Sequence, residues 1–222
     1  MTPKNWLSHY SSIFNTVELN GTFYRMPKLS DLKKYARLTP QDFTFSVKIS
    51  RYITHIQRLK EKQTTIDFQD LILQGLDGKL LYFLFQMPPS FHYTEENLER
   101  IVNNVPNTYQ NVVELRHTSW WTETVKKAFQ NAGLTFCNVD FPGLQTYFIH
   151  TSPDFYLRLH GNPELFVSSY NNRQLKSFYQ KFPKKARTCT IYFNNTAQEA
   201  GYKNALQLMD IVKGGYKPLS AG

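Results

Sequence analysis

Glu114 and Arg116 flank Leu115 in the run NVVELRH, and Arg158 and His160 flank Leu159 in FYLRLHG. Residues two apart on a β-strand project from one face, so each run presents two chemically active side chains together. A carboxylate beside a guanidinium keeps its charge and suits ligand orientation. Two arginines near one axis offer two forks for a single carboxylate or phosphate. Asp140, closing LTFCNVD, joins Glu114 as a second carboxylate, the minimum for acid/base work on a hydroxylated substrate. Lys48, near the end of FTFSVKI, supplies an amine for proton transfer or imine chemistry if a dry mouth lowers its pKa; a salt bridge to Glu18 is the preferred reading. Glu114, Asp140, Lys48 and His160 form the expected catalytic set.

The expected substrate-binding set surrounds them. Glu18 and Asn20 alternate onto one face of FNTVELN, and Tyr24 follows in a loop rich in donors and aromatic surface. His55 lies beyond the Lys48 run, placed to drop over the mouth as a lid residue. Gln86 precedes Met87 and two prolines and suits orienting a hydroxyl or amide. His117 with Trp120 offers a titratable group beside a ring for stacking, whereas Trp121 is expected to pack into a helical layer. Arg116, Arg158, Tyr192 and Asn194 complete the set, with Gly161 allowing close backbone approach to a ligand. No HxH, HExxH or CxxC spacing supports a metal site, no GxSxG a serine hydrolase, and no cofactor is implied.

These residues share one position in the chain pattern. Seven runs rich in β-formers, the five above together with LLYFLFQ and CTIYFNN, each end in polar or charged residues. Stretches of helical spacing near 4–13, 28–38, 64–77, 95–104, 121–132, 171–182 and 200–212 separate them. The strands are apolar on both faces for much of their length, which favours a parallel sheet under a helical shell. GxGxxG and GxxxxGK[ST] are absent, so a closed (β/α) barrel is preferred to an open doubly wound sheet. Function then belongs at the strand C-terminal rim. The 222 residues read as one domain, 1–222, with 41% hydrophobic residues sufficient for a core. Cys137 and Cys189 sit in strand runs and read as buried reduced thiols. No run is apolar enough to span a membrane and the N-terminus lacks a signal-peptide plan, so a cytoplasmic location is expected. The formal net charge of +9 favours anionic partners.

The ordered set NTVELNGTFYR, FSVKISRYITHIQRLK, LLYFLFQMPPSF, VVELRHTSWW, FYLRLHG and TIYFNNTAQEAGYKNALQL resembles the DUF72 (YecE-like) family over nearly the whole chain. The resemblance implies a TIM-type (β/α) barrel and no agreed reaction. Family members usually open with a strand like IGTSGW, and Met1 here begins in the helix after it. The expectation is therefore an N-terminally truncated barrel of about seven of eight strands, with a gap, a filler segment or a partner chain between strands 14–19 and 189–194.

The preferred reading is an acid/base enzyme of unspecified reaction acting on a small anionic hydroxylated metabolite, a sugar acid or phosphorylated compound. Two alternatives stand: an enzyme binding a nucleic-acid backbone along Arg25, Arg51, Arg58, Lys60 and Lys62, and a non-catalytic ligand-binding protein.

Overall fold

The structure, a computed structural model, describes residues 5–144 and 147–214. Seven strands, β1 (Thr16–Leu19), β2 (Thr44–Lys48), β3 (Leu80–Gln86), β4 (Asn111–Glu114), β5 (Thr135–Asp140), β6 (Asp154–Leu159) and β7 (Thr188–Phe193), form one sheet in chain order. Every pair is parallel. Helices α1 (Trp6–Ser11), α2 (Leu29–Leu38), α3 (Lys62–Leu76), α4 (Glu95–Asn104), α5 (Glu123–Ala132), α6 (Asn172–Gln180) and α7 (Ala200–Lys213) alternate with the strands. The start of the helix expected from residue 4, and both ends of the expected 1–222 domain, lie outside the described residues.

Side-chain caps explain where three of these helices begin. Thr94 and Thr122 cap α4 and α5 by accepting from the amides of Asn97 and Val125 at 3.1 and 3.2 Å, and Asn171 with Gln174 forms a reciprocal capping box on α6. Helix α3 departs from expectation: it begins at Lys62 after Glu61, whose side chain makes no cap, so Thr64 and Thr65 fall inside the first turn. It ends on Asp77 in the left-handed region, one residue before Gly78.

The sheet curls into a nearly closed TIM-type barrel. Contacts between strands that are not neighbours prove the curvature. Tyr82 on β3 meets Tyr156 on β6 edge to face at 5.4 Å, and the Tyr192 hydroxyl on β7 donates to Ser46 on β2 at 2.9 Å. The seam lies between β1 and β7, which pair only with β2 and β6. Side chains cross it instead of backbone bonds: Thr16 Oγ1 lies 2.7 Å from the Tyr192 hydroxyl, and the Phe14 and Tyr202 rings meet at 5.7 Å. The expected break therefore falls where the strand count placed it. Cys137 is buried, but Cys189 is exposed on the β7 edge strand, correcting the reading of two buried thiols. Among the described residues no helix is long and apolar enough to cross a membrane.

Helices α2 and α3 approach so closely that Gly75 has no room for a side chain; a Cβ built there would lie 2.4 Å from Leu32 Cβ. Gly75→Ala is expected to lower stability by about 1–2 kcal/mol net, overpacking outweighing the gain in helix propensity. A urea titration showing unchanged or raised stability would contradict this close packing.

Candidate functional site

The period-2 rule carries six rim residues into the barrel. Glu18 on β1, Lys48 on β2, Gln86 on β3, Glu114 on β4 and Arg158 on β6 are all buried, and His160 follows β6 at 1% exposure. Their distances define an ionic quartet. Arg158 donates through Nε and Nη2 to Glu18 Oε1 at 3.1 and 2.6 Å, and through Nη1 to Glu114 Oε2. Arg116 Nε donates to Glu114 Oε1 at 2.6 Å. Glu18 accepts further bonds from the Tyr156 hydroxyl at 2.6 Å, Asn20 Nδ2 at 3.1 Å and Asn194 Nδ2 at 3.5 Å.

Two carboxylates and two guanidiniums cancel in charge. Burial alone would raise the Glu114 carboxyl, but Arg116 and Arg158 outweigh it and hold the group well below the usual carboxylate range. Glu114 thus fits a permanent anion that holds two arginines better than a proton donor. Arg158 is committed as well, with all three guanidinium nitrogens bonded to carboxylates. Only Arg116 retains terminal nitrogens without a hydrogen-bonded partner among the described residues; its side chain is 15% exposed and lies over the Phe141 ring at 4.8 Å. The expected two-arginine anion clamp is therefore replaced by one internally satisfied arginine and one half-open one.

Lys48 differs from the salt-bridged reading. Its Nζ has no carboxylate within 4.0 Å among the described residues and sits 3.8 Å from the Phe23 ring centroid. Burial lowers its pKa to about 8, and Arg158 and Arg116 push the same way, against the weaker opposing pull of the two glutamates. His55, on a π-turn (Tyr52–Ile56) after β2, is brought against Phe23, ring to ring at 5.0 Å, with Nδ1 3.0 Å from Thr54 Oγ1. Burial, then Lys48 and Arg51, lower its pKa to about 4. His160 lies between the Phe141 and Phe166 rings, its Nε2 3.5 Å from Arg158 Nη1 and 3.8 Å from Glu114 Oε1. Burial lowers its pKa to about 3 against the opposing charge of Glu114, so the imidazole is neutral at ordinary pH. Its Nδ1 and the Asn194 Oδ1 are buried without hydrogen-bond partners.

Other expected residues lie elsewhere. Asp140 shares a face of β5 with Phe136, which packs against Phe129 of α5, and so points out of the barrel. Its carboxylate accepts from Tyr170 at 2.7 Å and Asn162 at 3.1 Å. The second carboxylate beside Glu114 is Glu18, shared through Arg158. Trp120 is fully buried, stacked on Phe91 with its Nε1 donating to the Phe91 carbonyl at 2.6 Å, and presents no face for a ligand. Trp121 packs edge-on against Phe136, as expected. His117 caps the turn Thr118–Trp120 and stacks on His92 at 3.9 Å. Gln86 turns its amide back onto the Met87 carbonyl at 2.7 Å. Tyr24 is 81% exposed, and Tyr192 lies a layer below the rim, beside Thr16 and Ser46. Gly161 has φ +88° because a Cβ would press on Glu164 O and Ser168 O at 3.0 and 3.1 Å, so its own loop requires it, not a ligand.

Two contributors escaped the sequence reading. Tyr156 stands two residues before Arg158, and the same alternation that paired Arg158 with His160 places it below them. Phe141 comes from a loop, where no periodicity reports which residue turns inward. A cleft of about 430 Å³ opens beside the free edge of β1, lined by Trp6, Leu19, Arg25 and Tyr35, and reaches Glu18 and Asn20.

The comparisons with known proteins agree with this fold. The chain is 31% identical over 124 residues to the UPF0759 protein YunF of Bacillus subtilis (strain 168), covering 52% of this chain and 44% of that protein. It is 26% identical over 129 residues to the UPF0759 protein YecE of Escherichia coli (strain K12), covering 58% and 47%. The matches thus span about half the length of these curated relatives. A crystal structure of a DUF72 family protein from Thermotoga maritima MSB8 superposes with a TM-score of 0.86 at 28% identity, covering 96% of this chain and 91% of that one. One from Enterococcus faecalis V583 matches in fold, with a TM-score of 0.83 at 20% identity over 97% and 92%. The family model described as "Protein of unknown function DUF72" matches residues 1–221. By that match over almost its whole length, the chain belongs to the DUF72 family.

Proposed function

We propose that the chain is an enzyme acting on a small anionic, hydroxylated molecule, such as a sugar acid or phosphorylated compound, at the C-terminal rim of the barrel. One observation carries this reading: beside a quartet that neutralises itself stand an amine with no carboxylate partner, Lys48, and a guanidinium with open nitrogens, Arg116. An anion on Arg116 supplies the negative charge the mouth lacks. Lys48, with a pKa of about 8, is matched to removing a proton near neutral pH. Glu18 and Glu114 hold Arg158 and Arg116 in place, while the amides of Asn20 and Asn194 suit substrate hydroxyls. Two unpaired cysteines fit a cytoplasmic setting.

A thermal-shift screen with gluconate, glycerate, sugar phosphates and inorganic phosphate tests the reading. A ligand at about 100 times its Kd is expected to stabilise the fold by about 2.7 kcal/mol, and Arg116→Gln to abolish that shift. No shift from any anion removes the proposal. A shift without turnover leaves the ligand-binding alternative. Binding to single- or double-stranded DNA that weakens steeply with salt favours the nucleic-acid alternative, which relies on exposed Arg25, Arg51, Arg58 and Lys60.

A further inference from the structure

We infer that Lys48 is a covalent nucleophile that forms an imine with the carbonyl carbon of a 2-oxo acid whose carboxylate is held by Arg116. The inference deepens the proposed function by naming the substrate class, and it rests on that reading of an anion at Arg116.

Four features of the mouth carry it. The Lys48 amine is the one charged group among the inward-facing rim residues without a counter-ion: the carboxylates of Glu18 and Glu114 are both occupied by arginine. Its Nζ instead lies over the Phe23 ring, which also meets the His55 ring. Burial first, then Arg158 and Arg116, oppose a proton on it against the pull of Glu114 and Glu18, which keeps the unprotonated, nucleophilic amine accessible near neutral pH. Finally, Arg116, two residues past β4, offers an open fork whose charge acts on Lys48 at the end of β2, and the proposed ligand sets its acid group on that guanidinium and its carbonyl carbon at the amine.

The step is balanced and redox-neutral. The Nζ lone pair adds to the carbonyl carbon as the carbonyl π electrons move to oxygen. A proton passes from nitrogen to that oxygen to give a carbinolamine, and loss of water leaves a C=N bond to Lys48. The iminium form, once protonated, carries its positive charge beside the substrate's own carboxylate, which a protonated lysine in the unliganded mouth lacks. His55 and His160 both feel the Lys48 charge and are both neutral near neutral pH. The charged groups that act on the Lys48 proton are Arg158, Glu114, Arg116 and Glu18; the neutral rings of His55 and His160 add no charge.

Trapping tests this directly. The full chain is incubated separately with pyruvate, glyoxylate and acetaldehyde in the presence of sodium cyanoborohydride, whose hydride reduces the imine to a stable secondary amine, and the modified lysines are located by peptide mass mapping. Carboxyethyl or carboxymethyl adducts are expected on Lys48 at a rate about tenfold or more above surface lysines such as Lys33 and Lys60, the advantage of an amine unprotonated near neutral pH. Labelling should rise to half its maximum near pH 8. Arg116→Gln should slow labelling by pyruvate much more than labelling by acetaldehyde, which has no carboxylate and loses only the effect of the Arg116 charge on the Lys48 proton. Labelling of Lys48 no faster than that of Lys33 overturns the inference without any need for a Lys48 variant. If gluconate or phosphate still shifts the melting temperature in that case, anion binding stands and Lys48 acts as a base only. If no anion shifts it, both readings fall.

Discussion

Glu114→Gln is expected to cost about 3–5 kcal/mol of stability, because it removes one partner from a buried ionic network and leaves guanidinium charge uncompensated. Glu114 is fully buried and receives both Arg116 and Arg158, while Arg158 is itself 97% removed from solvent and bridges to Glu18. With the carboxylate gone, Arg158 retains one counter-ion for its charge and competes with Arg116 for the single amide oxygen, the amide NH2 facing a guanidinium donor, whereas Arg116 can still turn toward water. This outcome differs from that expected for a catalytic acid, whose replacement leaves the fold intact and only removes activity. The comparison that isolates the network is Glu18→Met with Glu114→Met and Arg158→Met together. Replacing a buried ion triad by apolar groups of similar size is often neutral or stabilising, so the triple variant should recover most of what the single one loses. Urea midpoints decide it: a loss below about 1 kcal/mol for Glu114→Gln would mean that the network behaves like a solvated surface pair.

The second large effect is a loss of stability in acid centred on His160. Its folded pKa is lowered from 6.5 to about 3, first by burial, then by Arg158, Arg116 and Lys48, against the opposing attraction of Glu114. Below pH 6.5 the unfolded chain takes up a proton on this imidazole that the folded chain refuses until about pH 3. The unfolded state therefore binds more protons across that window. Stability is complete above pH 6.5 and falls as pH drops through it, at up to about 1.4 kcal/mol per pH unit from this one group. His55 acts in the same direction with its pKa lowered to about 4, but it is only half-buried and contributes less. Glu114 adds to the loss below pH 4.5, where its unfolded counterpart takes a proton that the arginines deny it in the fold. Denaturation midpoints measured from pH 7.5 to pH 4.5 should decline steadily, and His160→Asn should flatten the decline. An unchanged slope in that variant assigns the acid sensitivity to other groups.

The amino-acid sequence by itself determined the order and kind of the elements and the identity of most of the charged cluster. Strand runs carry β-branched and aromatic residues, helices carry spaced apolar residues and caps, and parallel alternation of the two has few solutions. The two-residue period was enough to put Glu114 with Arg116, and Arg158 with His160, because a strand's geometry is local. Asp140 failed because the same period places a residue on one of two faces without saying which face is inward; Phe136, two turns of the pleat earlier, settles it by packing on α5. Trp120 failed because only its three-dimensional neighbours, Phe91 above all, remove it from the rim. Which carboxylate each arginine takes was likewise a tertiary decision. Glu18 and Arg158 are 140 residues apart in the chain and meet at 2.6 Å because curvature closes the sheet across the mouth. That pairing, in turn, is what leaves Lys48 without a counter-ion. Local spacing fixes which way a side chain leaves its strand, and only the closed arrangement of all strands fixes what it finds there.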